Sequence, residues 1–136
     1  MINYAVKKVR NPKQPDADYC TNRAQKNGDY DFKELADDIA LATTCTKGDA
    51  MAVLMSIKPF IVKALLAGKS VHLDELGSFL ISIQSKAYPQ EMTSSKEFKP
   101  AEMIRGWKVV FRPDAELKKS LADNIKYQRI SSELMD

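Results

Sequence analysis

Histidine and cysteine are scarce in this 136-residue chain, which carries one histidine, His72, and two cysteines, Cys20 and Cys45. So small a set assembles no zinc site, shows no CxxC spacing and is too sparse for a disulfide scaffold. The two thiols have no cationic neighbourhood that would activate a thiolate, and they read as buried structural cysteines in a reduced, cytoplasmic protein. Glycine is also scarce, five in all, and no glycine-rich loop is present to cradle phosphate. No run of about 18 apolar residues occurs, which excludes a membrane-spanning helix. The opening Met1-Ile2-Asn3-Tyr4-Ala5-Val6-Lys7-Lys8 lacks the apolar core of a secretory signal. His72 has no Ser, Cys or carboxylate at triad spacing and reads as a surface or edge histidine. The paired acids Asp37-Asp38 are neighbours on a predicted helix and point in different directions, so they make a poor metal or acid–base pair. The expectation is a protein without enzymatic activity, metal, cofactor or small-molecule substrate.

What remains is ordinary globular material, 44% hydrophobic and 29% charged, of a length that suits one domain with a short extension. Charge is informative by segment. Residues 1–28 carry six Lys/Arg against two Asp, residues 29–80 five Lys against eight acids, residues 81–112 six Lys/Arg against three Glu, and residues 113–136 four against five. Two basic segments therefore flank an acidic middle. A polyanion responds to local field rather than to the net charge of +3, although segments this short also reach such values by scatter.

Periodicity places the elements. Ile2, Tyr4 and Val6 alternate with Asn3, Ala5 and Lys7, which predicts a strand over 2–9. A weaker strand over 19–26 ends at the turn signal Asn27-Gly28, making an opening hairpin. Asp31 with Glu34 three residues later begins a helix that carries Phe32, Leu35, Ala36, Ile39 and Ala40 at helical spacing to about Thr44. Thr46 with Asp49 begins a second, which runs to Leu66, stops at Gly68 and is expected to kink or break at Pro59. That helix has two apolar stripes, one of Ala50, Val53, Leu54, Ile57, Ile61 and Leu65, the other of Met51, Met55, Val62 and Leu66. A helix with two faces to hide in a chain this small is best shared with a second subunit. After Gly68 the period becomes two through Val71 and Leu73, then Phe79, Ile81 and Ile83, with a tight turn at Asp74-Glu75. Residues 84–105 read as loop, Trp107, Val109 and Phe111 resume a strand, and Pro113-Asp114 opens a last helix with Leu117, Leu121 and Ile125 inward. The tail after Tyr127 is expected to fray.

Two helices, a glycine, and then Gly68-Lys69-Ser70-Val71-His72-Leu73-Asp74-Glu75-Leu76-Gly77-Ser78-Phe79 form an order that resembles the HU/IHF family of bacterial nucleoid proteins. Phe111-Arg112-Pro113 followed by Glu116-Leu117-Lys118-Lys119 resembles that family's closing strand and helix. The likeness covers residues 31 to 123, and the preceding strand-rich segment resembles the HU-related DNA-binding proteins of Bacteroides-type bacteria. The resemblance implies an α+β fold. Its HU-like core would have two N-terminal helices, a three-stranded antiparallel sheet with an arm, and a C-terminal helix, all preceded by a short β-hairpin and assembled as an intertwined homodimer. The implied division is an extension over 1–28, the HU-like domain over 29–126 and a tail over 127–136. Val53, Leu54, Ile57, Ile61, Leu65 and Phe79 are the expected dimer core.

The implied function is DNA condensation in the bacterial cytoplasm, at the nucleoid, by binding double-stranded DNA with little sequence preference through basic β-arms. Lys86, Lys96, Lys99, Arg105, Lys108 and Arg112 would meet phosphates, and Tyr88 and Pro89 would be the groups available for the groove. The family's Arg-Asn-Pro arm tip is missing from residues 84–106. Arg10-Asn11-Pro12 occurs instead between the N-terminal strands, where an ordinary loop accounts for it. Two other readings stay open: a structural or protein-interaction module that uses the HU-like core only to dimerise, and an RNA-binding role for the same basic surface.

Overall fold

The computed structural model describes residues 1–10, 13–14 and 18–133, so Asn11 and Pro12 of the Arg-Asn-Pro tripeptide lie outside the described residues. The chain divides into two compact units, Met1–Met51 with Ser120–Asp136, and Ala52–Lys119.

In the first unit, strands β1 (Ile2–Val9) and β2 (Tyr19–Gln25) pair antiparallel, with Asn3 opposite Gln25 and Val9 opposite Tyr19. This is the expected hairpin. The expected frayed tail is a correction: Tyr127–Arg129 is a strand, β6, that pairs parallel to β1 and completes a sheet of order β2-β1-β6. Strand β1 offers a second edge of backbone donors and acceptors, and the tail satisfies it. Ile2 N–H donates to the Lys126 carbonyl at 2.7 Å and Ile130 N–H to the Tyr4 carbonyl at 3.1 Å.

Helix α1 (Phe32–Ala42) starts where its cap predicts, the Asp31 carboxylate accepting the Glu34 N–H at 3.0 Å. Its inward stripe is Leu35, Ala36, Ile39 and Ala40, with Ala36 fully buried. Just before the cap, the Tyr30 hydroxyl donates to the Asp38 carboxylate nearly two turns into the helix. That bond, with some desolvation and the Asp38 and Glu34 charges, pushes the Tyr30 phenol up to about 12.

Helix α2 (Lys47–Leu66) is capped by the Thr46 hydroxyl, which accepts the Asp49 N–H at 3.1 Å. It begins in the first unit and continues through the second, and it contains Pro59 without ending there. Proline removes one N–H, which leaves the Met55 carbonyl without its helical donor, but the rest of the ladder carries the helix on. The helix closes at Gly68, φ +78°, where Lys69 N–H reaches back to the Ala64 carbonyl at 3.1 Å.

In the second unit, β3 (Val71–Leu73), β4 (Gly77–Ser85) and β5 (Ile104–Pro113) form the expected antiparallel sheet in chain order. The turn between β3 and β4 closes with Leu76 N–H donating to the Leu73 carbonyl at 2.9 Å, with Glu75 at φ 66°. Helix α3 (Ala115–Ala122) follows β5. Of its expected inward residues only Leu117 is half-buried, while Leu121 and Ile125 are 57% and 41% exposed. No helix among the described residues is long and apolar enough to cross a membrane.

The core within one chain is small. Among the described residues the buried hydrophobics are Ala5, Ala36, Ala50 and Leu54. Of the expected dimer core, Leu54 is buried, Ile61, Leu65 and Phe79 are half-buried, and Val53 and Ile57 stand exposed. In the second stripe Met51 is half-buried, whereas Met55, Val62 and Leu66 are exposed. The cysteines correct the expectation of burial: Cys20 lies on the outer strand β2, Cys45 lies in the short connection between α1 and α2, and both are exposed free thiols.

Candidate nucleic-acid interface

The register of β4 against β5 sorts the sheet into two unlike faces. Phe79 stands opposite Phe111, Ile81 opposite Val109 and Ile83 opposite Trp107, so one face is a continuous apolar double row. Phe79 and Phe111 pack ring on ring, centroids 4.9 Å apart. The alternate residues form the other face, polar apart from the half-buried Leu80–Val110 pair at its centre, where Ser78 stands opposite Arg112, Ser82 opposite Lys108 and Gln84 opposite Gly106. His72 joins this face opposite Ser78, exposed on its strand, with its Nδ1 2.7 Å from the Ser78 hydroxyl. Lys108 and Arg112 therefore project from one polar face four residues apart, which is the strand period applied twice.

Gly77 fixes how closely the strands approach. A Cβ there would lie 2.5 Å from the Arg112 carbonyl oxygen and 2.6 Å from the Phe111 ring, so the ladder has room for hydrogen only. At the other end the pairing slips: Gln84 faces Gly106 and Ser85 faces Ile104, which leaves Arg105 as the extra residue of a β-bulge. A bulge bends its strand and re-aims the extra side chain. Simple alternation would have placed Arg105 in the row of Trp107, Val109 and Phe111, and no sequence signal marks the slip.

The expected two-stranded arm is a correction. Residues 86–103 fold into a compact lobe of two 3-10 turns, Gln90–Ser94 and Pro100–Met103, rather than prolonging β4 and β5. Lys86 N–H donates to the Met103 carbonyl at 2.9 Å and closes its base. Proline explains much of this, since Pro89 and Pro100 each open a turn and neither can donate to a ladder. The Tyr88 ring packs against Phe98, centroids 4.9 Å apart, so it is already partnered within the lobe instead of free at a tip.

Lys86, Lys96, Lys99, Arg105, Lys108 and Arg112 are all exposed, and among the described residues none of the six forms an ion pair. The structure thus gathers all six in the unit that holds the sheet: two on its polar face, one on the bulge and three on the lobe. Pro89 is exposed beside Tyr88. Among the described residues no group of three or more His, Cys, Asp or Glu side chains is arranged to hold a metal ion. What such a surface can do is bind anions through mobile cationic side chains.

No curated protein matches the chain. Among solved structures, a provisionally assigned bacterial DNA binding protein from Bacteroides vulgatus ATCC 8482 is similar over 98% of this chain, with TM-score 0.61 and 12% identity. This chain spans about half of that protein, 49% of its length. An Anabaena HU–DNA cocrystal structure covers 70% of this chain and is itself covered in full, at 25% identity and TM-score 0.47. The family described as an HU domain fused to wHTH, Ig, or Glycine-rich motif matches residues 1–129, and the chain belongs to that family, HU-HIG.

Proposed function

We propose that the protein binds double-stranded DNA with little sequence preference, as an HU-like homodimer at the bacterial nucleoid in the cytoplasm, where it condenses DNA. The observation that carries this reading is the clustering of six exposed, ion-pair-free cations on the polar sheet face, the bulge and the lobe, in a chain of the HU-HIG family. DNA binding by HU-type relatives, one of them crystallised with DNA, agrees with that chemistry. Lysine and arginine side chains meeting phosphates release condensed counterions, a gain that does not depend on base sequence. The polar face offers few groups suited to reading base edges, so sequence bias would come from DNA deformability.

The homodimer reading is supported by the apolar sheet face. Ile83, Trp107, Val109, Phe111 and Ile81 stand 61, 67, 50, 45 and 37% exposed in the single chain. Fully burying an apolar side chain is worth about 1.5–3 kcal/mol, so covering the exposed part of each gains a fraction of that, and a second copy offers a like surface related by symmetry.

A gel-shift titration with duplex DNA, single strands and duplex RNA at two salt concentrations tests the reading. Salt-sensitive binding to unrelated duplexes is the expected result. No shift on any duplex would leave a structural or protein-interaction module, and preference for duplex RNA would assign the surface to RNA.

A further inference from the structure

The sheet built from the two ends of the chain has a chemistry of its own. Strands β1, β2 and β6 contain no Asp or Glu, and they carry Lys7, Lys8, Arg23 and Arg129. Its two faces differ. Ala5 is fully buried, so the face it shares with Asn3 and Lys7 is covered. On the opposite face Tyr4 stands between Ala24 and Arg129, Ile2 stands opposite Tyr127, Val6 opposite Asn22 and Lys8 opposite Cys20. Ile2, Tyr4, Asn22, Ala24 and Tyr127 line an open depression of about 390 Å³ there, within the size range of small-ligand sites. Tyr127 is 66% exposed. The Arg129 guanidinium gives one N–H to the Ser132 carbonyl at 3.2 Å and has further donors to offer.

We propose that this face is a second nucleic-acid site, a stacking platform for single-stranded DNA. Tyr127 and Tyr4 take bases on their rings, the Asn22 amide meets a base edge, and Arg129 and Lys8 hold the flanking phosphates. Flat aromatic rings set in a cationic sheet are how proteins hold unpaired bases, because every base has a π-face and only an unpaired one can present it. Charge argues against the other occupants. A second copy would set Lys8 and Arg129 against the same two cations, with no acid on these strands to offset them. A peptide strand would seek the backbone edge of β2 rather than a face with aromatic rings. The choice of DNA over RNA rests on the duplex-DNA reading above, whereas the platform itself does not.

The test is fluorescence anisotropy of a fluorescein-labelled dT10 with the full chain. Tyr127→Ala should weaken dT10 binding at least about fivefold, the lower end for one lost stacking contact, and Tyr127→Phe should retain it. Duplex affinity should stay within twofold for both. Replacing Lys96, Lys99 and Arg105 together by Ala should do the reverse, weakening the duplex and sparing dT10. Because β6 is short, crosslinking of unaltered protein to a 5-bromodeoxyuridine-substituted dT10 gives a second readout, with the adduct expected on peptides containing Tyr4 or Tyr127. Unchanged dT10 affinity in Tyr127→Ala, or adducts confined to residues 86–112, would overturn the proposal. Displacement of dT10 by equimolar oligoglutamate would overturn stacking, and tighter binding of rU10 would overturn the assignment to DNA. Persistence of dT10 binding where duplex binding fails would remove the earlier reading and leave this one standing.

Discussion

Ile83 stands directly across the β4–β5 ladder from Trp107, and the two are the most exposed pair of an otherwise continuous apolar row. A single chain leaves most of both side chains uncovered, and the proposed homodimer would give them a partner surface. Sedimentation equilibrium at micromolar concentration should return about twice 15.3 kDa. Trp107 is the only tryptophan, so its emission reports the same event and should move to the red on dilution below the dissociation constant. Trp107→Ala should cost roughly 3–5 kcal/mol per protomer if the ring is covered, against less than about 0.5 if it faces water. A stable monomer with red emission would remove the dimer.

The close approach at Gly77 makes a sharper statement about stability. In Gly77→Ala the new methyl would collide with the Arg112 carbonyl and the Phe111 ring, and the carbonyl is backbone that cannot swing aside. The expected loss is about 1–3 kcal/mol, read as a lower urea midpoint at unchanged slope. A wild-type midpoint would mean that β4 and β5 do not approach as described.

Tyr30 supplies a pH test of the α1 start. Its phenol is pushed up to about 12 by its bond to Asp38, so the folded chain keeps a proton that the unfolded chain releases near 10. The stabilisation from this contact is fully present below pH 10 and is lost as pH rises towards 12. Absorbance titration at the phenolate band should show a phenol that ionises only towards pH 12, and Asp38→Asn should bring it down towards 10. No change in the phenolate titration on Asp38→Asn would contradict the contact.

The lobe predicts weak bending. A wedge must unstack a base step at a cost of a few kcal/mol and must be held at the tip of an ordered arm. Pro89 instead opens a 3-10 turn next to Tyr88, whose ring is engaged with Phe98. Energy transfer between dyes on the ends of a ~30 bp duplex, about a fifth of the DNA persistence length, should change little on binding. A large rise that Pro89→Ala abolishes would show that Pro89 is a wedge after all.

Much of the fold was legible because local signals act over a few residues. The caps at Asp31 and Thr46, the glycine stop at 68 and the alternation around Phe79 each mark a boundary that the structure keeps. What the sequence hid was non-local. Tyr127–Arg129 has no strand pattern of its own and becomes a strand because β1, more than a hundred residues earlier, offers an edge. The bulge at Arg105 depends on cross-strand register, and the lobe depends on the turns that Pro89 and Pro100 open and on the pairing of Tyr88 with Phe98. Lys108 and Arg112 were legible as a pair on one face because strand parity alone places them there.

The proposed duplex interface consists of phosphate contacts made by the cations of the lobe, the bulge and the polar sheet face. It is tested most directly by the slope of log K against log salt concentration for a duplex, measured for the unaltered chain and for the variant with Lys96, Lys99 and Arg105 changed to Ala. The side chains are exposed, so the fold should survive. Weaker binding on unrelated sequences alike and a slope shallower by roughly 2–3 units are the expected results. An unchanged affinity and slope would contradict it and move the duplex elsewhere.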